Sequence, residues 1–503
     1  MSLFRRGLIF LCVTGMLKRM TSAFLAGRGP LGDFRSRRQR LSQEPLPLFQ
    51  LRSSLTHNTP FSSRLAMSAP AAAETAKEQK ESEMTEAERR DHRRIGRLME
   101  LFFVAEEAVG SVFWQPNGWQ LYKTLKEYLS KQLISNGYLE IATPTLLNQK
   151  LWETSGHWDK FRENMFVVDT DRHTTEEDEE HKLGKSAGGG TKEVLAVKPM
   201  NCPGHVLVFK KTPKSFRDLP LRLSEFGSVH RNEITGALTG LMRVRAFTQD
   251  DAHIFCTEQQ INEETKSFVQ LLLKVYRDLG FEEVTVKFSD RPEKRAGDDS
   301  TWDNAETALK SAIEDLGLDY ELAPGEGAFY GPKLEFQVKD ALGRFWQCGT
   351  IQLDFVLPAR FDATFTDSDG QKKNPVMLHR AIFGSFERFL GILIENCEGK
   401  FPFWLAPLQV TTVSITDDDA PAARDLAQKL RAVGVRAEAD TRAEKLSYKI
   451  RENTIRRVPV QLVIGARERE AGTVAVRRIG SRDQQILPVE EVLKSLEEDA
   501  KLP

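Results

Sequence analysis

The sequence predicts an α+β body with an antiparallel sheet, followed by a smaller α/β domain at the C-terminal end. Three observations carry this. Apolar residues are dense from about Ile95 to about Lys400. Within that stretch two strand-like runs flank ITGALTGL, whose two glycines suit a turn, so residues 221–255 read as an antiparallel hairpin with a long loop. After the Trp404-Leu405-Ala406-Pro407 segment the pattern changes to alternating strands and helices.

Composition sets the limits. With 503 residues the chain has room for about two to four domains. A hydrophobic fraction of 40% and a charged fraction of 28% are those of an ordinary globular protein. The net charge of −1 excludes a broad attraction to polyanions, so any nucleic acid must be gripped by local patches. Five scattered cysteines, odd in number, argue for a reducing compartment and against a disulfide framework. No apolar stretch approaches the roughly 20 residues that span a bilayer, so no membrane partner is expected.

Residues 1–66 are rich in arginine and serine, with only Asp33 and Glu44 as acids, and read as an organelle transit peptide. The alternative is a disordered basic arm that grips RNA. An apolar run at 7–17, behind Arg5 and Arg6, could serve as a signal core and would suit a plastid. The mitochondrial matrix is the first expectation, with a plastid or dual targeting as the alternative. Residues 67–94 read as a polar linker passing into an exposed helix, and 95–400 as the main domain. Residues 169–193 interrupt it with an acidic, glycine-ended segment expected to be a surface loop, which makes His173 and His181 solvated loop residues rather than metal ligands. Residues 401–503 form the α/β domain. Its elements are LQVTTVSI, ARDLAQKLRAVG stopped by Gly434, VRAEAD, EKLSYKIRENTIRRV and QLVIG.

Strand alternation sorts the hairpin into two faces. Met242, Val244 and Ala246 fall on one. Arg243, Arg245, Phe247, Gln249, Asp251 and His253 fall on the other, and Arg231 and Glu233 share a parity on the first strand. A face with cations, an aromatic ring, an amide, a carboxylate and an imidazole suits a nucleotide and an amino acid. Arginines match phosphate oxygens, a ring stacks on a base and a carboxylate holds an ammonium. The plainer reading is the solvated face of a half-buried sheet.

The segment HRNEITGALTGLMRVRAFTQDDAHIF resembles motif 2 of the class II aminoacyl-tRNA synthetases, and within that class the threonyl branch. KPMNCPGH (198–205), AFYGPKLEF (328–336) and PVMLHRAIFGSFERF (375–389) agree, the last resembling motif 3. NGYLEIATPTLLNQKLWETSGHWDKF, ending at Phe161, resembles motif 1 and its sequel. The resemblance runs from about Ile95 to near the C-terminal end. It implies the class II synthetase fold, an α+β catalytic domain with an antiparallel sheet flanked by helices, joined to an α/β anticodon-binding domain.

The resemblance also implies roles. Arg231 and Arg388 would meet the α- and γ-phosphates of ATP. Glu233 and Phe247 would hold and stack the adenine, with Arg243 and Gln352 as further ATP contacts. Cys202, His253 and His379 match the family's zinc ligands, one ion per subunit, although spacing alone reads each as an unremarkable Cys or His. Three protein ligands leave a position open. In the family the amino and hydroxyl groups of threonine complete the coordination sphere, which separates threonine from the isosteric valine where an apolar pocket cannot. Met200, Gln249, Asp251, Tyr330, Lys333 and Gln347 resemble the residues lining the threonine pocket. His157 matches a histidine near the terminal ribose of transfer RNA, with a purely structural histidine as the alternative. Mg2+ is expected with ATP.

Motif 3 carries Ile382, Phe383, Phe386, Phe389, Leu390 and Leu393 at helical spacing, which makes them core residues that present Ser385 and Arg388 to the site. In the C-terminal domain Lys445, Lys449, Arg451, Arg456 and Arg457 concentrate positive charge suited to RNA, the alternative being a solvated helix. Arg457, Glu468 and Arg477 align with residues that read anticodon bases of tRNA(Thr). A homodimer is implied by motif 1. The family's N-terminal editing module finds no counterpart before Ile95, so a compact, organelle-type form that misactivates serine is expected.

Overall fold

The computed structural model describes residues 84–169, 194–340, 342–481 and 483–503. The leader at 1–66, residues 67–83 of the linker, and residues 170–193 with His173 and His181 lie outside the described residues.

The described chain begins with two short helices, Glu86–Arg90 and α1 (His92–Leu98). Thr85 and Glu88 cap the first reciprocally, and Asp91 caps the second through Arg93 N–H. His92 then pins α1 in place: Nδ1 meets Glu395 Oε1 at 2.6 Å and Nε2 accepts Leu241 N–H at 3.0 Å. Helix α2 (Pro116–Ser135) starts on a proline, where a missing N–H costs nothing, and buries Leu121, Leu125, Tyr128, Leu129 and Leu133 along one stripe.

The main sheet has eight strands: β1 (Leu139–Glu140), β2 (Leu221–His230), β3 (Ala246–Cys256), β4 (Val284–Ser289), β5 (Glu321–Ala323), β6 (Lys333–Lys339), β7 (Phe345–Asp354) and β8 (Val376–Ala381). They lie in the order β5-β4-β6-β7-β8-β3-β2-β1. The six central strands pair antiparallel, and only the outermost strand at each edge is parallel to its neighbour. The expected hairpin is β2 with β3, in register from Leu221 opposite Phe255 to His230 opposite Ala246.

The alternation expected from Met242 begins only at Ala246. Thr239 N–H donates to Arg243 O (3.1 Å) and closes a turn, while Arg245 N–H goes to Gly110 O at 2.6 Å. Arg243 and Arg245 therefore precede the strand rather than sharing the face of Phe247.

Further helices of this body include α3 (Cys202–Lys210), α4 (Ile261–Asp278) and α5 (Phe386–Asn396). Leu125 of α2, Phe268 and Leu272 of α4 and Phe386, Phe389 and Leu390 of α5 pack with Ile254, Leu334, Ile351 and Leu378 of the sheet, all fully buried. Each such side chain contributes about 1.5–3 kcal/mol. Ile382 and Phe383 join the same core from the turn before α5, four and three residues ahead of the helix in which they were expected. This core fills one face of the sheet and leaves the other for the cleft.

The C-terminal domain has α6 (Ala420–Ala432), α7 (Leu446–Ile455) and α8 (Val489–Asp499) around strands β9 (Val410–Ser414), β10 (Ala437–Asp440), β11 (Val460–Ile464), β12 (Thr473–Arg478) and β13 (Gln484–Pro488). The order is β10-β9-β11-β12-β13; the first three are parallel and the last two add antiparallel. Val410, Leu426, Leu430, Leu462, Val474, Val492 and Leu496 form its separate core. Among the described residues no helix is long and apolar enough to cross a membrane.

Candidate active site

Sheet register builds the site. His253 of β3 and His379 of β8 are cross-strand partners, Gln352 of β7 is the next partner of His379, and Lys333 of β6 that of Gln352. Same-row side chains on adjacent strands stand side by side. Cys202, the first residue of α3, completes a trio whose ligand atoms all lie within 4.8 Å of one another. His253 Nε2 and His379 Nδ1 are 3.1 Å apart, and the outer nitrogen of His379, Nε2, meets Asp354 Oδ2 at 2.9 Å.

Burial disfavours charge on both rings and holds the pKa of His253 well below the ordinary value. At His379 burial acts the same way, but the Cys202 sulfur and the Asp354 carboxylate outweigh it and lift the pKa to about 10. One sulfur and two imidazole nitrogens, with a carboxylate behind one imidazole, form the donor set of a zinc site with one open position. The residues present fit that ion.

The trio stands at one end of a cleft of about 380 Å³. Met200, Arg231, Glu233, Arg243, Phe247, Gln249, Asp251, Tyr330, Gln347, Gln352 and Arg388 line the rest of it. Every residue assigned from sequence to ATP or to threonine is there except one. Lys333 lies in the same sheet row, but its ammonium pairs with Glu335, two residues on along β6. His157 is also outside the cleft, in an adjoining hollow shared with Tyr330 and His379.

Backbone carbonyls hold the two arginines. Arg231 Nε donates to Pro199 O at 3.2 Å, and its guanidinium lies 5.2 Å from the centre of the Phe247 ring. Arg388 Nε donates to Met242 O at 2.9 Å. Arg243 pairs with Glu233 at 2.8 Å, so those two groups order each other at the rim. Asp251 accepts Asn201 Nδ2–H at 2.8 Å, and burial raises its pKa above the ordinary carboxylate value despite that bond. Asn201 can lie flat here because Gly227, opposite Gln249, has no side chain: a Cβ there would stand 2.2 Å from Asn201 Oδ1. Asn201 Oδ1 and Gln249 Oε1 are buried without a protein partner, and Gln249, which lines the cleft, can accept there from an ammonium or a hydroxyl.

His157 Nδ1 is 2.7 Å from Ser155 Oγ, and burial, helped by nearby His379, pushes its pKa down to about 4. At neutral pH it is an uncharged ring. In the C-terminal domain Arg457 follows α7 with a positive φ of 57°. Glu468 Oε2 accepts Gly465 N–H at 3.0 Å, and Arg477 Nη1 donates to Gln484 Oε1 at 3.0 Å. Lys449, counted from sequence among the cations available to RNA, is 2% exposed and donates to Ser414 O at 2.9 Å. Arg456 pairs with Glu438. Sequence reasoning also passed over Asn201 and Asp354. Asn201 sits inside a quoted motif, beside Cys202; nothing in the linear pattern marks Asp354.

Comparisons with known proteins agree with this geometry. Residues 189–397 match the family described as tRNA synthetase class II core domain (G, H, P, S and T), and residues 408–499 match the anticodon binding domain. A threonine–tRNA ligase of Parvibaculum lavamentivorans is 56% identical over 418 residues, 83% of this chain and 63% of the relative. One of Rhodospirillum rubrum is 56% identical over 420 residues, 84% of this chain and 62% of the relative. The chain thus spans a little under two thirds of the length of these curated relatives. A crystal structure described as the RNA binding domain of threonyl-tRNA synthetase from Cryptosporidium parvum superposes with a TM-score of 0.75 at 39% identity, covering 82% of this chain and 99% of that one.

Proposed function

Since the chain belongs to the threonyl-tRNA synthetase family, with a class II core and an anticodon-binding domain, we propose that it is a threonine–tRNA ligase. It would activate L-threonine with ATP to threonyl-adenylate and then pass the threonyl group to the 3′ end of tRNA(Thr). The observation that carries this reading is the placement of Cys202, His253 and His379 in one cleft with Asp251, Arg231, Phe247 and Arg388.

In this reading Arg231 and Arg388 take the α- and γ-phosphates, and Phe247 and Glu233 take the adenine, with Arg243 and Gln352 beside them. Fixed guanidinium groups in a narrow cleft stabilise charge that develops on transferring phosphate, and Mg2+ would arrive with ATP and share that charge. Zinc, one ion per subunit, would be held by Cys202, His253 and His379, and when bound would supply a Lewis acid open to the amino and hydroxyl groups of threonine. Asp251 accepts from the substrate ammonium, with Asn201 holding the carboxylate in place. Met200, Gln249, Tyr330 and Gln347 enclose the side chain, and Lys333 reaches the pocket only on leaving Glu335. His157, uncharged at neutral pH, can accept the proton of the attacking ribose hydroxyl.

Arg457, Glu468 and Arg477 are assigned to the anticodon. The resemblance of the stretch ending at Phe161 to motif 1 supports a homodimer, as do Leu139 and Leu146, left 57% and 47% exposed on that stretch. The arginine-rich first 66 residues support service in organelle translation, in the mitochondrial matrix, with a plastid or dual targeting as the alternative.

The test is amino-acid-dependent ATP–pyrophosphate exchange on zinc-loaded protein with threonine, valine, serine and proline in parallel. Exchange with threonine and none with valine or proline is expected. No exchange with any of them, from folded protein, would overturn the reading in favour of a non-catalytic RNA-binding paralogue.

A further inference from the structure

We propose that Glu225 and His205 form a buried relay that fixes the proton of His253 on Nδ1 and leaves Nε2 bare toward the metal position. This rests on the reading of Cys202, His253 and His379 as a zinc site. Neither Glu225 nor His205 lines the cleft, and the mechanism above uses neither.

Glu225 of β2 is 5% exposed and surrounded by donors. Its Oε1 accepts Thr143 N–H and the Lys198 ammonium, both at 2.9 Å. Its Oε2 faces Thr143 Oγ1 at 2.8 Å and His205 Nε2 at 3.1 Å. Burial opposes the charge, yet His205, Thr143 and Lys198 together hold the carboxyl down at about 2. An ionised carboxylate only accepts, so His205 Nε2 carries the proton.

His205 Nδ1 lies 2.9 Å from His253 Nδ1. One of the two must donate. A zinc-binding His253 keeps no proton on its metal-facing atom, so His205 Nδ1 accepts, His253 Nδ1 donates, and the lone pair of His253 is on Nε2. That is the atom 3.1 Å from His379 Nδ1, where the ligand atoms converge. His379 is held directly, by the Asp354 carboxylate at its Nε2. Each metal-facing imidazole thus has a carboxylate behind it, one at first remove and one at second. His205 stands three residues after Cys202 on α3, so the helix that carries one ligand also sets the proton of another.

The decisive variant is Glu225→Gln. Thr143 N–H and the Lys198 ammonium can only donate, so they keep the amide oxygen at the Oε1 position and turn the NH2 toward His205. The ring must then accept on Nε2, carry its proton on Nδ1 and donate to His253, which moves the His253 proton to Nε2 and into the metal position.

Zinc affinity, read by competition with a chromophoric chelator, is expected to fall about 10–100-fold in Glu225→Gln. Histidine-selective 15N spectra of the metal-free protein should show His253 change from the Nδ1–H to the Nε2–H tautomer. His205→Gln can offer an N–H to Glu225 and an oxygen to His253 Nδ1–H, and should keep most of the wild-type affinity. His205→Leu should lose it. Should the leucine variant fail to fold, the two glutamine variants decide, because both nearly preserve shape. Wild-type affinity and an unchanged His253 tautomer in Glu225→Gln would overturn the relay and leave the zinc site standing. A wild-type protein that takes up no zinc would overturn the zinc reading itself.

Discussion

The N–H of Gly384 donates to the carboxylate of Asp250 at 2.8 Å, and that bond ties the turn before α5 to the central strand β3. Ile382 N–H and Phe383 N–H donate to the same carboxylate at 2.7 and 3.0 Å. Gly384 has φ +73°, and a Cβ there would stand 2.6 Å from Cys348 O, so the turn needs a glycine on two counts. Ser385 follows as the cap of α5, accepting Arg388 N–H at 3.2 Å. One strand therefore shows Gln249 and Asp251 to the cleft while the residue between them aims Arg388 into it. Asp250→Ala would strand three buried N–H groups, and a loss of about 3 kcal/mol or more is expected in urea melts, with slower exchange. Asp250→Asn keeps one oxygen and should fall between. An asparagine variant no better than alanine would refute the acceptor role.

Glu387, on the first turn of α5, gives a pH signature. Burial lifts its pKa from 4.5 to about 7, although Thr248 N–H donates to it at 3.0 Å. Between those values the folded chain holds the proton more tightly than the unfolded chain. The contribution to stability is therefore complete below pH 4.5 and is lost as the pH rises through 7. Glu387→Gln, which can still accept from Thr248, should melt like wild type near pH 4.5 and be more stable at pH 8, by up to about 3 kcal/mol. A gain of equal size at both pH values would contradict this origin.

Gly227→Ala addresses the amino-acid end alone. The new methyl would push Asn201 off Asp251, at a typical cost of about 1–3 kcal/mol in stability. The KM for threonine should rise while that for ATP stays close to wild type, as read from exchange with each substrate varied in turn. Parallel rises in both would place the damage elsewhere.

Serine keeps the hydroxyl of threonine and lacks one methyl, so kcat/KM for serine should be only about 10–200-fold below that for threonine. Valine keeps the shape and lacks the hydroxyl, and should be rejected far more strongly. Undetectable seryl-adenylate beside normal threonine activation would show that something other than hydroxyl coordination sets the selection. Stripping the protein with a chelator should abolish threonine-dependent exchange, and added zinc should restore it.

In the C-terminal domain Arg477→Ala should raise the KM for tRNA and leave exchange untouched. Glu468→Ala should do the same and also destabilise the domain by about 1 kcal/mol, because Glu468 satisfies Gly465 N–H at the start of the short helix Ala466–Ala471. Equal melting of the two variants would argue against that second role.

Much of this was legible in the sequence because β3 obeys the two-residue period. Phe247, Gln249, Asp251 and His253 do share a face and a cleft. The period failed at Arg243 and Arg245, where a turn held by Thr239 replaces the strand, and sequence pattern does not locate such a closure. Lys333 has the right row, but its ammonium is held by a carboxylate on its own strand. Cys202, His253 and His379 come from three separate elements, so resemblance brought them together where spacing could not. Lys198, His205 and Glu225 read as ordinary polar residues because their burial arises only when α3 closes over β2 and β3.

If Cys202, His253 and His379 hold zinc as proposed, the cross-strand pairing of His253 with His379 makes that trio a proofreader of folding. Side chains alternate, so slipping β8 by one residue against β3 would turn every side chain of β8 over and send His379 through the sheet into the apolar core. A slip of two would restore the face but part the two rings by about 7 Å along the strand. Neither mispaired chain could gather three ligands. Zinc uptake during refolding would therefore count correctly zipped sheets, molecule by molecule, before any substrate is added.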